Sequence, residues 1–240
     1  MAGASAPGAL RSGPGPDANE EYLIYQTLVG TWPITPERLT AYLEKALREA
    51  KVNTNWDEPD ERWERSVARF ATSLYDHVAF RETFDPFVRK LMAAGEDAAL
   101  GALLLRLTCP GIPDIYQGDE TWALELADPD NRRPVDWSDR RGALGHLDDG
   151  WRSQQRERKL HVTREALGLR ARRPAPFSGD YAPLPAPGDV CPFTRADQVA
   201  VVVGLRRGST VDAVAPPGAG WQEIVADPAR RAPIRLFERG

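Results

Sequence analysis

The first half of the chain repeats hydrophobic positions every three or four residues, the spacing of amphipathic helices. The clearest example is ERLTAYLEKALREAK at 37–51, where leucine, alanine and tyrosine side chains fall on one face. Thr35 is the expected N-cap of this helix and Pro36 stands at its first turn. The same spacing predicts helices over 22–30 (with a buried strand as the alternative), over 60–77, over 80–94 with a delay or kink at Pro86 and an end at Gly95, and a fourth, buried helix up to Thr108.

A proline- and glycine-rich turn then changes the pattern. The residues IPDIY at 112–116 are short, apolar and bounded by turn residues, which predicts one buried strand. Residues 117–150 are rich in Asp, Pro, Gly and Arg, and a loop of that length is usually functional or disordered. Residues 151–172 predict a further helix. A strand, a long polar loop and a return helix form one βα unit, of the kind that a (β/α)8 barrel repeats eight times.

The last part of the chain has the pattern of a β-sheet. DVCPFT and QVAVVVGLR are separated by RAD, which predicts a hairpin, and GWQEIVA and PIRLFE predict two more strands. The predicted fold class is therefore an α+β fragment. It comprises a mostly helical region with a βα unit over 20–174 and a small β-rich C-terminal domain over 175–240. Residues 1–19, rich in Ala, Gly, Pro and Ser, are expected to be a disordered tail.

Composition and charge argue against several classes of protein. The net charge is −4 and the pI is about 5.5, whereas nucleic-acid binding usually shows as a basic patch or a high pI. No stretch approaches the roughly 20 apolar residues of a membrane span, and the first residues lack the apolar core of a secretory signal. Two distant cysteines, Cys109 and Cys191, do not make a disulfide framework. We therefore expect a cytoplasmic protein without nucleic-acid or membrane partners.

Candidate chemistry lies in CPGIPDIYQGDETWALELADPDNRRPVDW at 109–137, which holds six acids before Asp136. An EF-hand starting at Asp128 would need glycine at its sixth position and glutamate at its twelfth, where the chain has Arg133 and Asp139. Asp-Pro-Asp would suit a nucleotide-sugar transferase, but no phosphate-binding motif accompanies it. There is no GxSxG motif, and the three histidines are isolated. We expect no metal and no cofactor; the remaining possibility is carboxylate chemistry on a glycosidic bond, which several acids in one loop do not establish.

The same stretch closely resembles the maltooligosyltrehalose synthases of the α-amylase superfamily. Three other motifs resemble that family in the same order, and the likeness covers roughly residues 18–185. They are EEYLIYQTLVGTWP at 20–33, REAKVNTNWDEPDERWE at 48–64 and RKLHVTREALGLRARRPAPFSGDYAPL at 158–184.

The resemblance implies an activity and a substrate. The family moves the reducing-end glucose of a maltooligosaccharide, an α-1,4-glucan, from an α-1,4 to an α,α-1,1 linkage, without a cofactor. Its three catalytic acids precede the matched region, so no residue here inherits a catalytic role, and 112–116 becomes the last strand of the barrel. This implies the C-terminal part of a synthase, inactive alone. The alternatives are a non-catalytic glucan-binding or assembly module, for which a separately encoded N-terminal half is a possible partner, and a decayed gene product.

The expected substrate contacts lie on two of the matched motifs. Arg132 has the spacing to proline that an arginine beside the innermost sugar subsite shows in related α-glucosidases, and pairing with a loop aspartate is its structural alternative. Trp56 suits stacking on a sugar face, or burial in a core. The full set of predicted contacts is Arg132, Arg133, Asp130, Asn131, Tyr116, Gln117, Lys51, Thr54 and Trp56.

Overall fold

The computed structural model describes residues 13–148, 157–226 and 233–240, which form helices first and an antiparallel sheet afterwards. The helices in these ranges are α1 Ala18–Thr31, α2 Pro36–Ala50, α3 Glu61–Asp76, α4 Val78–Thr108, α5 Trp137–Asp148, α6 Glu157–Arg172 and α7 Pro174–Ser178. The strands are β1 Tyr181–Pro183, β2 Val190–Arg195, β3 Val199–Gly204, β4 Trp221–Ala226 and β5 Ile234–Arg239.

Side-chain caps define the starts of the first three helices. Asp17 and Glu20 form a capping box at α1, each accepting the other's backbone N–H at 2.9 and 3.0 Å. Thr35 caps α2 with Pro36 in its first turn, which confirms the sequence prediction. Asp60 accepts the backbone N–H of Trp63 at 2.9 Å and caps α3. The predicted helices over 22–30, 37–51 and 60–77 are thus confirmed.

The two helices predicted on either side of Gly95 are one helix of 31 residues, α4, with Pro86 inside it. The prediction that Gly95 ends a helix is wrong. A glycine costs a helix only about 1 kcal/mol, and it ends one reliably only where the backbone turns left-handed. Gly95 does not adopt a positive φ angle, so the helix continues through it.

Contacts divide the chain into a first unit, residues 1–90 and 124–134, and a second unit, residues 91–123 and 135–240. The core of the first unit is made by buried faces of α1, α2, α3 and the first part of α4. Its buried apolar residues include Ile24, Leu28, Leu39, Leu43, Val67, Phe70, Leu74, Phe84 and Val88.

The core of the second unit combines the end of α4 and one face of α6 with the sheet. Along β3, alternate valines face opposite sides, because successive side chains of a strand alternate. Val201 and Val203 join Leu104 and Ala166 of α4 and α6, while Val202 joins a smaller cluster on the other face. The predicted boundary at 174/175 therefore does not separate two cores.

The sheet has the order β1-β2-β3-β5-β4, with every neighbouring pair antiparallel. β2 and β3 form the predicted hairpin, and its turn has Ala196 and Asp197 at positive φ angles of 47° and 51°. The two later strands are confirmed as β4 and β5, which pair with each other. The α+β fold class is thus confirmed, while a barrel is not seen among the described residues.

Three other predictions differ from the structure. Residues 112–116 are not a strand, because none of the described residues pairs with them, and Ile112 is 97% exposed. The predicted loop 117–150 contains helix α5. Of the predicted tail, residues 1–12 lie outside the described residues, as do 151–156 of the predicted helix over 151–172. Residues 13–19 are part of the first unit: Ser66 Oγ donates to the Gly15 carbonyl at 2.7 Å, and α1 begins at Ala18.

None of the described helices, including α4 with its 31 residues, has the length and apolar character that crossing a bilayer requires.

Candidate functional site

Asp130 anchors the loop 124–134 to α2 within the first unit. Its carboxylate accepts hydrogen bonds from Nε and Nη2 of Arg38 at 2.8 and 2.7 Å, and from the backbone N–H of Leu126 at 2.8 Å. The residue is 8% exposed. The Arg38 hydrogen bonds lower the pKa of Asp130 against the opposing effect of burial, and the Leu126 N–H lowers it further. The predicted contact Asp130 is thus engaged by the protein itself.

The paired arginines of the same loop are accessible. The side chain of Arg132 is 69% exposed, and its Nε lies 2.5 Å from Asp128 Oδ1. Arg133 is 46% exposed and lies 3.1 Å from Asp130 and 3.5 Å from Glu125. A guanidinium has five N–H donors, so each arginine retains donors beyond these pairs.

Asn131 lies between Asp130 and Arg132 in a single 3-10 turn, Asp130–Arg132. Its side-chain Oδ1 is buried and has no hydrogen-bond partner among the described residues. Buried polar atoms are seldom left without a partner. The three consecutive predicted contacts 131–133 therefore bring together one unsatisfied acceptor and two accessible guanidinium groups.

Tyr116 and Gln117 belong to the second unit and are both exposed. They precede Gly118, whose φ angle of 87° favours glycine. An added Cβ at Gly118 would also lie 3.2 Å from Arg140 Nη2, which donates to the Gly118 carbonyl at 2.9 Å. The turn fixes the backbone after Gln117 but leaves both predicted side chains at the surface.

The acids that follow Gly118 are bound by cations of the second unit. Asp119 pairs with Lys159 and, at 3.1 Å, with Arg106. Glu120 lies 3.5 Å from Arg140. The arrangement suits a structural role for these carboxylates.

The other predicted contacts lie on the α2–α3 loop of the first unit. Lys51 ends α2 with a left-handed φ angle of 55° and is exposed. Thr54 is buried, with its hydroxyl donating to Glu64 Oε1 at 2.7 Å and accepting the Asp60 N–H at 2.9 Å. Trp56 is 50% exposed, with the Arg48 guanidinium 5.0 Å from its ring centroid. Thr54 thus positions the loop, while Trp56 presents a ring to solvent.

Sequence reasoning missed three cations that organise these loops: Arg38, Lys45 and Arg48. Lys45 donates to the backbone carbonyl of Asp128 at 2.6 Å. All three lie on α2, where a polar residue of an amphipathic helix is ordinarily a solvated one. Nothing in the local spacing connects Arg38 to Asp130, which is 92 residues away.

Neither of the free cysteines is fully exposed, and burial raises the pKa of the Cys109 thiol. His161 has a pKa lowered by burial. Within the described ranges, no group of three or more His, Cys, Asp or Glu residues is placed to hold a metal ion.

Comparison with known proteins gives one consistent result. No model of a protein family matches the chain. A curated protein of Mycobacterium tuberculosis, whose description names maltooligosyl trehalose synthase, is 39% identical over 202 residues. That match covers 79% of this chain and 25% of the relative.

Solved structures agree with this match. A point mutant of the maltooligosyltrehalose synthase from Arthrobacter ramosus superposes with a TM-score of 0.80 at 34% identity, covering 92% of this chain and 32% of that one. A Sulfolobus tokodaii protein, described as a hypothetical maltooligosyl trehalose synthase, has a TM-score of 0.74 at 29% identity, covering 95% and 33%. The chain thus spans about a quarter to a third of the length of these relatives.

Proposed function

Because this chain belongs to the maltooligosyltrehalose synthase family and spans about a quarter to a third of the length of its relatives, we propose that it is the C-terminal portion of such a synthase. The reaction implied is the intramolecular transfer of the reducing-end glucose of a maltooligosaccharide from an α-1,4 to an α,α-1,1 linkage. The observation that carries the proposal is that sequence likeness covers 79% of the chain and structural likeness 92%, including both units. A cytoplasmic location is part of the proposal.

We expect this chain to be inactive by itself. Retaining glycoside chemistry needs two carboxyl groups about 5–5.5 Å apart that flank the reacting bond. Asp119 and Asp130 are instead engaged by cations of their own units, which supports structural roles for them. In the resembling family the catalytic acids precede the matched region. A second polypeptide segment would therefore supply the chemistry.

The contribution of this chain is a wall of the glucan site. Arg132 and Arg133 are accessible donors, and sugar hydroxyls accept hydrogen bonds from such groups. Asn131 Oδ1, buried without a partner among the described residues, adds an acceptor that a small loop movement would offer to a hydroxyl. Tyr116 and Gln117 belong to the second unit and are a separate prediction; they are exposed, as contacts would need to be.

Reconstitution tests the proposal. The 240-residue chain is mixed or co-expressed with the N-terminal two-thirds of the A. ramosus synthase, and loss of reducing ends is followed with maltopentaose. We expect no loss with either part alone and a steady loss with both. Isomerisation by the chain alone would refute its predicted inactivity. A soluble, associated pair that remains inactive would refute the assignment.

Two arginine variants in this assay test the predicted substrate contact of Arg132. Arg132→Ala should lower kcat/KM of the reconstituted enzyme by about tenfold or more, as for a lost charge-assisted hydrogen bond. Arg62, an exposed arginine of the same unit, provides the matched control, and Arg62→Ala should leave the rate unchanged. Equal rates in both variants would remove Arg132 from the substrate contacts.

A non-catalytic glucan-binding or assembly module is the second candidate, and the half-exposed Trp56 favours it. Glucan binding together with failure of every reconstitution would select it. A decayed gene product is the remaining alternative, and a cooperative melt of the purified chain would exclude it.

A further inference from the structure

Trp56 stands on a loop of the first unit that is held at both ends. Asn55 Oδ1 accepts the backbone N–H groups of Asp57 and Glu58 at 2.9 and 2.8 Å, which closes a turn around the tryptophan. The buried hydroxyl of Thr54 accepts the Asp60 N–H at 2.9 Å. The indole is therefore held on a fixed backbone, yet half of its surface is exposed.

The position of the Arg48 guanidinium beside this indole is also fixed. Arg48 donates to both oxygens of Glu64 at 2.8 Å and pairs with Glu44 at 2.8 Å, and its side chain is 17% exposed. Its carbon Cζ lies 5.0 Å from the ring centroid of Trp56, within the range of a cation–π interaction. The ring is thus supported from one direction, and its exposed half is available to another group.

The same arginine is one of the residues that line a groove of ≈ 440 Å³ between α2 and α3. Its apolar part includes Leu43 and Leu47. Its polar edge carries Glu44, 52% exposed, and the pair Glu61–Arg65, with side chains 73% and 65% exposed. A fixed aromatic ring, an apolar groove and accessible polar groups of both kinds therefore lie together on one unit.

We propose that the α2–α3 groove and the indole of Trp56 bind a stretch of α-1,4-glucan. The sugar class rests on the proposed function, whereas the location rests on the geometry above. A glucose ring has an apolar C–H face, which suits the exposed indole, and a rim of hydroxyls that both donate and accept. Glu44 and Glu61 accept hydrogen bonds and Arg65 donates them. Few, well-placed polar groups around an apolar surface are the general form of a small-molecule site.

The charged residues that line the groove favour a neutral ligand over an anionic one. Its lining has three carboxylates, Glu44, Glu61 and Glu64, against two guanidinium groups, and Arg48 is already engaged by two of the acids. A phosphate would find no free cluster of cations there. A neutral polyhydroxyl chain needs no net charge and can use both the donors and the acceptors of the lining.

Titration of the full 240-residue chain with maltoheptaose tests this site by calorimetry. Trp56→Ala should weaken binding about tenfold, the effect expected of a lost aromatic contact. Trp137, 48% exposed in the second unit, provides the matched control. Trp137→Ala should leave the affinity unchanged. Unaltered binding by Trp56→Ala, or no binding of maltoheptaose by the folded wild-type chain, would overturn the proposal.

A measurement on the wild-type chain tests the site without depending on whether the Trp56→Ala variant folds. In an amide and indole NMR spectrum, the Nε1–H signal of Trp56 should shift with maltoheptaose, whereas that of Trp137 should not. A shift of neither signal would contradict the site. Reconstituted activity is measured separately. If the chain completes an active synthase but does not bind glucan at Trp56, only this inference fails and the proposed function is unaffected.

Discussion

At the scale of single residues, Asp130 is the side chain on which the loop 124–134 most depends. Asp130→Asn removes the charge that pairs with Arg38 and one of the acceptors in its fork of hydrogen bonds. Hydrogen bonds to charged groups contribute about 1.5–3 kcal/mol, so we expect the free energy of unfolding at pH 7 to fall by about 2 kcal/mol. Urea denaturation of the purified chain measures this change.

The matched control is Asp128→Asn in the same loop. Its partner Arg132 is 69% exposed, and exposed ion pairs contribute about 0–1 kcal/mol. A loss as large as that of Asp130→Asn would show that burial does not distinguish the two acids.

The pH dependence of the free energy of unfolding gives a second test of the ion pair of Asp130. Its folded pKa is lowered by Arg38, so its stabilising effect is present above the unfolded value of about 3.9. That effect is lost as the pH falls through the folded pKa. The stability difference between wild type and Asp130→Asn should therefore be constant near neutrality and shrink below about pH 4. A difference independent of pH would contradict the ion pair.

Sequence spacing did not indicate which of the predicted contact side chains are free to bind a ligand. The residues 130–133 and 54–56 were predicted as substrate contacts, and that role stays a prediction. The side chains of Asp130 and Thr54 form hydrogen bonds within the protein, with Arg38 and Glu64, which come from elsewhere in the fold. Sequence spacing carries no information about such partners unless they are local.

At the scale of elements, α4 contains two glycines in different surroundings. An added Cβ at Gly95 meets nothing within 4 Å, and the residue is exposed. Gly95→Ala should therefore raise the free energy of unfolding by about 0.5–1 kcal/mol, because alanine restricts the unfolded chain and favours the helix. Denaturant unfolding of the two proteins measures the gain.

Gly101 is the control within the same helix. A Cβ there would lie 3.0 Å from Val203 Cγ1 in the core of the second unit. The same gain in helix propensity is opposed by overpacking, so Gly101→Ala should not stabilise. If both variants gain equally, packing against β3 is looser than the structure describes.

Elements with strong local patterns were predicted, and elements that depend on distant contacts were not. α2 has a full apolar face and a Thr-Pro start, and β2–β3 alternates around a turn, so local chemistry determined both. α5 was missed because WSDRRGALGHLD buries few apolar residues, among them Ala143 and Leu147, and contains two glycines. The strand at 112–116 was wrong because a strand requires partners, which the described residues do not provide.

At the scale of the whole molecule, the exposed segment 112–116 becomes informative together with the partial length of the match. Ile112 is 97% exposed, and Tyr116 is 47% exposed. Among the described residues, no backbone N–H of 112–116 donates to another backbone group. If the chain completes a longer synthase, this segment is where the remaining polypeptide would supply neighbouring strands, since exposed strand edges pair readily.

Substitution of Ile112 tests that expectation without disturbing the chain itself. Because the side chain is almost fully exposed, Ile112→Asp should leave the melting temperature of the chain unchanged. Burying an isoleucine contributes about 1.5–3 kcal/mol, so its loss should weaken association with the complementary two-thirds of a synthase by about tenfold to a hundredfold. Val52, 74% exposed in the first unit, is the matched control, and Val52→Asp should associate normally. Amide hydrogen exchange on the reconstituted complex should slow across 112–116. Fast exchange there in an active complex would mean that the complement binds elsewhere on this chain.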